Sequence, residues 1–268
     1  MQKCIVVSGQ TKFDALAFKE GLEEGIRKVA TLGYDAVELA VRDPALVDLK
    51  GLVGLTRELG LPVVAIGTGQ AYGDEGLSFT DPDESVRRKA VERIKRQVEF
   101  AANFGAQVII GLIRGKRLPE VAEERARDWL LAALKECAGY AEQYGVCLTL
   151  EPINRYETNL INTIAEAMEI IDATGMSNIG ILADTFHMNI EEPSMEESLR
   201  SCARYLTHLH VADSNRWVPG YGHIDFPSLI RLLRDIDYKG AVSAEILPKP
   251  DPKRCAEMTL DYMIKLGL

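Results

Sequence analysis

Eight short runs rich in apolar and β-branched residues recur along this 268-residue chain, and their number and spacing constrain its fold more than any other feature. They are Cys4 to Ser8, Ala36 to Leu39, Val63 to Thr68, Val108 to Leu112, Cys147 to Ile153, Ile179 to Asp184, Leu206 to Asp213 and Ala241 to Leu247. Most of the intervals carry helical periodicity, as in Val86 to Phe104, Ala126 to Tyr144, Ile164 to Ala173 and Phe226 to Ile236. Strand followed by helix eight times over specifies parallel pairing and predicts one closed α/β barrel, a (β/α)8 TIM barrel spanning residues 1–268 as a single domain.

The punctuation agrees. Gly33, Gly60, Gly105, Gly145 and Gly240 each stand between a helical run and the next strand, where a left-handed residue ends a helix. No Pro/Gly/Ser-rich linker breaks the series, and Asp251 to Leu268 reads as a last helix packed on the barrel.

A net charge of −9 argues against a protein that neutralises phosphate backbones, so no nucleic-acid partner is expected. The five cysteines (Cys4, Cys137, Cys147, Cys202, Cys255) form no Cys-x-x-Cys pair and read as reduced thiols. The first residues enter a strand-like run at once and show no apolar stretch of signal or membrane length, which predicts a cytoplasmic protein with no membrane contact.

Barrels of this kind carry their chemistry at the carboxyl ends of the strands. Four consecutive strand ends hold chelating side chains: Thr149-Leu150-Glu151-Pro152, Leu182-Ala183-Asp184-Thr185, His208-Leu209-His210-Val211 and Ser243-Ala244-Glu245-Ile246. Glu151, Asp184, His210 and Glu245 stand 33, 26 and 35 residues apart, each step about one βα unit, so three carboxylates and an imidazole should converge above the barrel. Three buried carboxylates would protonate without a counter-ion, and a divalent cation removes that penalty. The mixed oxygen and nitrogen set suits Mn²⁺, with Mg²⁺ or Co²⁺ as alternatives, better than a structural zinc. His208 lies one layer deeper on the same strand face and reads as a support for the site rather than a ligand.

These residues resemble the xylose-isomerase-like TIM barrels, and among them the ketose 3-epimerases related to tagatose and allulose epimerase. The likeness covers essentially the whole chain and is carried by Glu151-Pro152-Ile153-Asn154-Arg155-Tyr156-Glu157-Thr158, Asp184-Thr185-Phe186-His187-Met188-Asn189, His210-Val211-Ala212-Asp213-Ser214-Asn215-Arg216 and the strand holding Glu245. The resemblance implies that Glu151, Asp184, His210 and Glu245 hold a metal, that Glu151 and Glu245 are also catalytic proton carriers, and that Glu157, His187 and Arg216 contact the carbonyl end of a small keto-sugar. It also implies a homodimer or homotetramer. A proton beside a ketone is far less acidic than any carboxylic acid, so electrostatic stabilisation of a cis-enediolate is required, and two carboxylates on the fifth and eighth strands can serve its opposite faces.

The runs Ala40-Val41-Arg42-Asp43-Pro44, Ala65-Ile66-Gly67-Thr68-Gly69-Gln70-Ala71-Tyr72 and Ile110-Gly111-Leu112-Ile113-Arg114-Gly115 more closely resemble the 5-keto-L-gluconate epimerases. Since arginine pairs bidentately with carboxylates, Arg114, with Arg42 or Arg216, is expected to read the acid end of a keto-sugar acid such as 5-keto-L-gluconate or D-tagaturonate. Trp217 is expected to wall the pocket and Phe226 to pack in the core. Gly67-Thr68-Gly69 lacks the third glycine of a dinucleotide fingerprint, so no nicotinamide or flavin is expected. Competing readings are an aldose-ketose or hydroxypyruvate-type isomerase, which would use the same groups, a metal-dependent nuclease, which would need more than the four histidines present, and a sugar-binding barrel, which would have lost ligands.

Overall fold

A computed structural model, describing residues 1–9, 11 and 13–268, turns the eight apolar runs into parallel strands. These are β1 (Gln2–Ser8), β2 (Ala36–Ala40), β3 (Val63–Gly67), β4 (Gln107–Ile110), β5 (Leu148–Leu150), β6 (Ile179–Asp184), β7 (Leu206–Val211) and β8 (Ala241–Ala244). They lie in chain order around a closed barrel, and β1 meets β8 with Gln2 opposite Ala241 and Ile5 opposite Ala244.

The helices outside it are α1 (Leu22–Leu32), α2 (Leu49–Leu59), α3 (Gly69–Glu75), α4 (Glu84–Ala102), α5 (Glu123–Glu142), α6 (Ile164–Thr174), α7 (Thr185–Glu191), α8 (Met195–Ser201), α9 (Phe226–Asp235) and α10 (Pro252–Lys265). Their starts follow from capping side chains that satisfy free backbone N–H groups: Asp83 for α4, Asp225 for α9, Asp251 for α10, and a reciprocal Thr163–Glu166 pair for α6. Gly33, Gly60, Gly105 and Gly145 take positive φ at the helix-to-strand turns, as expected. The fifth junction differs. There Asp237 carries the positive φ, and Gly240 is required for space, since a Cβ on it would lie 2.4 Å from the Tyr238 hydroxyl.

Most apolar burial lies between strands and helices, where Phe226 is among the core residues. The barrel lumen is different: beside polar side chains it holds two small apolar clusters, Cys4, Ala36 and Ala241 in one and Ala65, Ile109 and Leu182 in the other. Gln107, Thr149 and Thr207 join hands between them, the Thr149 hydroxyl donating to Gln107 at 2.6 Å. A lumen lined this way can accept a carboxylate and imidazoles higher up without stranding them in hydrocarbon.

Several strands stop sooner than the apolar runs suggest. Pro152 has no N–H to continue the β5 ladder, and beyond β8 the chain leaves the sheet so that Leu247 N–H bonds the Arg216 carbonyl of the preceding loop. Both departures open the carboxyl end of the barrel. The cysteines are all free thiols, and among the described residues no helix is long and apolar enough to cross a membrane.

Candidate active site

The strand ends place all four chelating side chains at one point. Glu151 follows β5 directly, Asp184 ends β6, His210 is the penultimate residue of β7, and Glu245 follows β8. Asp184 and His210 are also register partners across the β6–β7 ladder. One ligand atom from each of Glu151, Asp184, His210 and Glu245 lies within 4.8 Å of the others. His210 Nδ1 is 3.8 Å from Glu151 Oε1, 3.8 Å from Asp184 Oδ2 and 3.9 Å from Glu245 Oε2.

The chemistry of this set fits a divalent cation. Asp184 uses Oδ1 to cap α7 by accepting the Phe186 N–H at 2.7 Å, while its Oδ2 and the His210 Nδ1 are buried polar atoms with no hydrogen-bond partner. Buried polar groups are almost always satisfied, so two such orphans aimed at one point indicate a ligand there. Burial, reinforced by Glu245 and Asp184, pushes the Glu151 carboxyl up to about 8, and burial raises Glu245 as well. Burial alone would also raise Asp184, but the cationic His210 and Arg216 hold it below the usual carboxylate range. A cation supplies the missing positive charge for all three.

Sequence reasoning passed over Glu38. This buried β2 carboxylate accepts from His208 Nε2 at 2.8 Å and from His210 Nε2 at 3.0 Å, leaving Nδ1 of His210 facing the cluster. Burial opposes charge on both sides, yet the imidazoles hold Glu38 well below its ordinary value and Glu38 raises His210 well above its own. The signal was a lone glutamate in the middle of the apolar run Ala36-Val37-Glu38-Leu39-Ala40, on an inward-facing position. His208 has the supporting place expected for it.

Glu157, His187 and Arg216 line the same cavity, of about 270 Å³, together with Glu38, Glu151, His210 and Glu245. That is below the range of pockets for drug-sized ligands and suits a smaller molecule. His187 Nε2 stands 3.7 Å from Asp184 Oδ2 and 3.9 Å from Glu151 Oε1, and burial lowers its pKa to about 3, so the ring is neutral. Arg216 pairs with Glu245 and lies 3.8 Å from Glu157, its guanidinium between the rings of Phe186 and Phe13. Its backbone is in the left-handed region, held by the 2.7 Å bond from its N–H to the Asp213 carbonyl. The buried Asp213 carboxylate fixes this loop by accepting N–H groups from Ser214, Gly220 and Ile224.

Arg114 does not take part. It is fully buried, and its guanidinium donates to the carbonyls of Leu160, Gly111 and Ile161 at 2.9–3.0 Å, tying the β4 loop to the segment after β5. Burial lowers its pKa only to about 10, so it stays cationic, but its donors are committed to backbone rather than to the cavity. Arg42 faces Asp74 and Glu75 at 3.8 and 3.5 Å. Trp217, expected to wall the pocket, sits instead on the surface under Lys249, and the aromatic ring lining the cavity is that of Phe13. A larger groove of about 710 Å³ beside α1 and α2 contains none of the strand-end chelators among its described residues.

Comparison with known proteins places this geometry. Residues 26–266 match the family model described as xylose isomerase-like TIM barrel. The chain is 33% identical to the L-ribulose 3-epimerase of Mesorhizobium japonicum over 87% of its own length and 78% of that protein. It superimposes on the crystal structure of 3-keto-D-glucoside 4-epimerase, YcjR, from E. coli with a TM-score of 0.85, 26% identity and coverage of 99% and 100% of the two chains. For D-allulose 3-epimerase from Methylomonas sp. in complex with D-allulose the TM-score is 0.83, with 26% identity and coverage of 99% and 98%. The chain therefore belongs to the xylose isomerase-like TIM-barrel family, within its branch of sugar epimerases, enzymes of the isomerase class.

Proposed function

We propose that the protein is a divalent-metal-dependent epimerase of a small ketose, in which Glu151 and Glu245 move the proton through a cis-enediolate. The observation that carries the reading is the meeting of Glu151, Glu245, Asp184 and His210 at one point, with Glu151, His210 and Glu245 lining the cavity. Glu151, Asp184, His210 and Glu245 would hold the cation, with Mn²⁺ the ion of choice and Mg²⁺ or Co²⁺ able to replace it. Bound there, a cation polarises the substrate carbonyl and stabilises the negative charge that develops on its oxygen.

The chain's own groups do the rest. Glu151 and Glu245 come from non-adjacent strands, so a planar intermediate between them can lose its proton to one carboxylate and regain it from the other. Arg216 sets the charge of Glu245 through their ion pair, and Glu157 sits where a substrate hydroxyl can donate to it. The buried walls of Leu16 and Ile153, with the exposed ring of Phe13 beside them, shield the reacting carbon from water.

The substrate is best read as a neutral ketose. The expected keto-acid preference rested on Arg114, whose donors are committed elsewhere, and the cavity presents the carboxylates of Glu38, Asp74 and Glu157 in addition to Glu151 and Glu245. A carboxylate-bearing substrate meets repulsion there, whereas hydroxyl groups meet acceptors. The test measures kcat/KM with Mn²⁺ for L-ribulose, D-allulose and D-tagatose beside 5-keto-L-gluconate and D-tagaturonate. Preference for a neutral ketose supports the reading, and preference for an acid overturns its substrate part. Turnover that moves hydrogen only between C1 and C2, read by label in D₂O, assigns the aldose-ketose isomerase instead.

A further inference from the structure

Two imidazoles, His187 and His210, face the same cavity, and each has one ring nitrogen aimed at the carboxylates of Glu151 and Asp184. What each can do there depends on which nitrogen carries the proton, and that is set by the partner of the nitrogen on the far side. For His210 the far nitrogen, Nε2, meets the Glu38 carboxylate, an acceptor, so Nε2 keeps its proton and Nδ1 is the nitrogen that would give up its own to hold a cation.

For His187 the far nitrogen, Nδ1, meets the side-chain amide of the buried Asn154 at 2.8 Å. The orientation of that amide is fixed independently. Asn154 Oδ1 accepts the backbone N–H of Tyr156 at 3.0 Å, so the other end of the amide is the NH₂ group, and its second hydrogen goes to Glu157 Oε1 at 2.9 Å. The Asn154 backbone is held too, since its carbonyl accepts the N–H groups of Glu157 and Thr158. An amide NH₂ only donates, so His187 Nδ1 must accept.

We propose that Asn154 is a positioning residue that locks neutral His187 with its proton on Nε2, so this ring enters the site as a hydrogen-bond donor to a substrate oxygen and not as a fifth cation ligand. The two outer partners thus sort two chemically identical rings into opposite roles: an acceptor behind His210 makes a ligand, a donor behind His187 makes a donor. The Nε2–H of His187 points to the space beside Glu151 and Asp184 where charge develops on the substrate oxygen in the proposed reaction, and a pre-oriented donor there stabilises that charge. The catalytic consequence rests on the epimerase reading; the tautomer rests on geometry alone.

The chain has four histidines, so the test is long-range ¹H–¹⁵N correlation on ¹⁵N-histidine-labelled, Mg²⁺-loaded protein, with His187→Gln identifying the ring. In the native protein His187 should show a protonated, pyrrole-type Nε2 and a pyridine-type Nδ1; the reverse pattern overturns the proposal whatever any variant does. Asn154→Leu removes the donor and should give mixed tautomers, with kcat for the ketose substrate falling about 10²-fold and KM changing little. Asn154→Asp, of the same shape but only accepting, should draw the proton to Nδ1. Retention of the native tautomer in both variants overturns the role of Asn154. Absence of ketose turnover by the native enzyme overturns the epimerase reading and leaves the tautomer result to stand or fall by itself.

Discussion

Glu38 Oε2 and His210 Nε2 lie 3.0 Å apart across the barrel lumen, joining residues 172 positions apart in the chain, and this contact decides which nitrogen of His210 faces the four-residue cluster. A carboxylate behind a ligating imidazole fixes its orientation and raises its basicity, and losing such a partner typically weakens metal binding about 10- to 100-fold. Glu38→Gln keeps the shape and removes the charge. Calorimetric titration with Mn²⁺ should show that loss of affinity with the fold intact; unchanged affinity would make the contact a packing feature only.

Metal binding should depend on pH with a definite sign. In the metal-free fold Glu151 titrates at about 8 because burial opposes its charge, against 4.5 in the unfolded chain. Between those values the folded state binds the extra proton, so the metal-free protein loses stability as pH rises through that window. His210, raised by Glu38, adds a slope of the same sign above its ordinary range, while the depressed Asp184 and Glu38 contribute stability that is lost only on acidification below the usual carboxylate range. The cation requires ionised Glu151, so the gain in Tm on adding Mn²⁺ should grow from about pH 5 to about pH 8. A gain constant over that span contradicts the raised carboxyl.

Replacing Arg114 tests its reassignment. Arg114→Met removes three hydrogen bonds, leaving the Leu160 carbonyl without its Arg114 donor while Gly111 and Ile161 keep only a backbone one, at a cost of roughly 2–4 kcal/mol, which for a chain this long lowers Tm by roughly 5–15 °C. KM for neutral and acidic ketoses should shift by the same factor. A selective rise in KM for the acids, at unchanged Tm, restores Arg114 to substrate recognition.

The β7 loop offers a test confined to Arg216. A Cβ on Gly222 would lie 2.1 Å from Asp213 Oδ1, the oxygen that accepts from Ser214 and Ile224. Gly222→Ala should therefore displace the Asp213 carboxylate and the turn that presents Arg216, lowering kcat/KM by roughly tenfold or more while Mn²⁺ affinity is unchanged. Equal loss of metal affinity would show that the loop supports the whole cluster.

The barrel and its four chelators were legible because both follow the repeat of the fold: apolar runs announce strands, and a chelator at each of four successive strand ends needs no knowledge of packing. Asp184 serves two ends at once, since one oxygen caps α7 and the other faces the cluster. Glu38 and Asn154 were less visible because their roles are relations to His210 and His187, set by which strands the barrel brings opposite each other. Arg114 misled for the same reason. A basic residue between glycines at a strand end looks like a reader of anions until the carbonyls of Leu160 and Ile161, nearly fifty residues on, are seen to consume it.

The two-carboxylate mechanism makes a sharper demand than loss of activity. If Glu151 serves one face of the substrate and Glu245 the other, each base abstracts the proton from only one of the two epimers, and inversion needs both. Glu151→Gln and Glu245→Gln should each depress epimerisation by roughly 10²- to 10⁴-fold, yet each should still exchange the α-proton of one epimer with D₂O without inverting it. The epimer that exchanges must differ between the two variants. Calorimetry at saturating Mn²⁺ separates this from simple loss of the cation, because both residues also belong to the ligand cluster. Exchange of the same epimer by both variants would mean that a single group carries the proton to both faces, and the assignment of Glu151 and Glu245 as a facing pair would have to be abandoned.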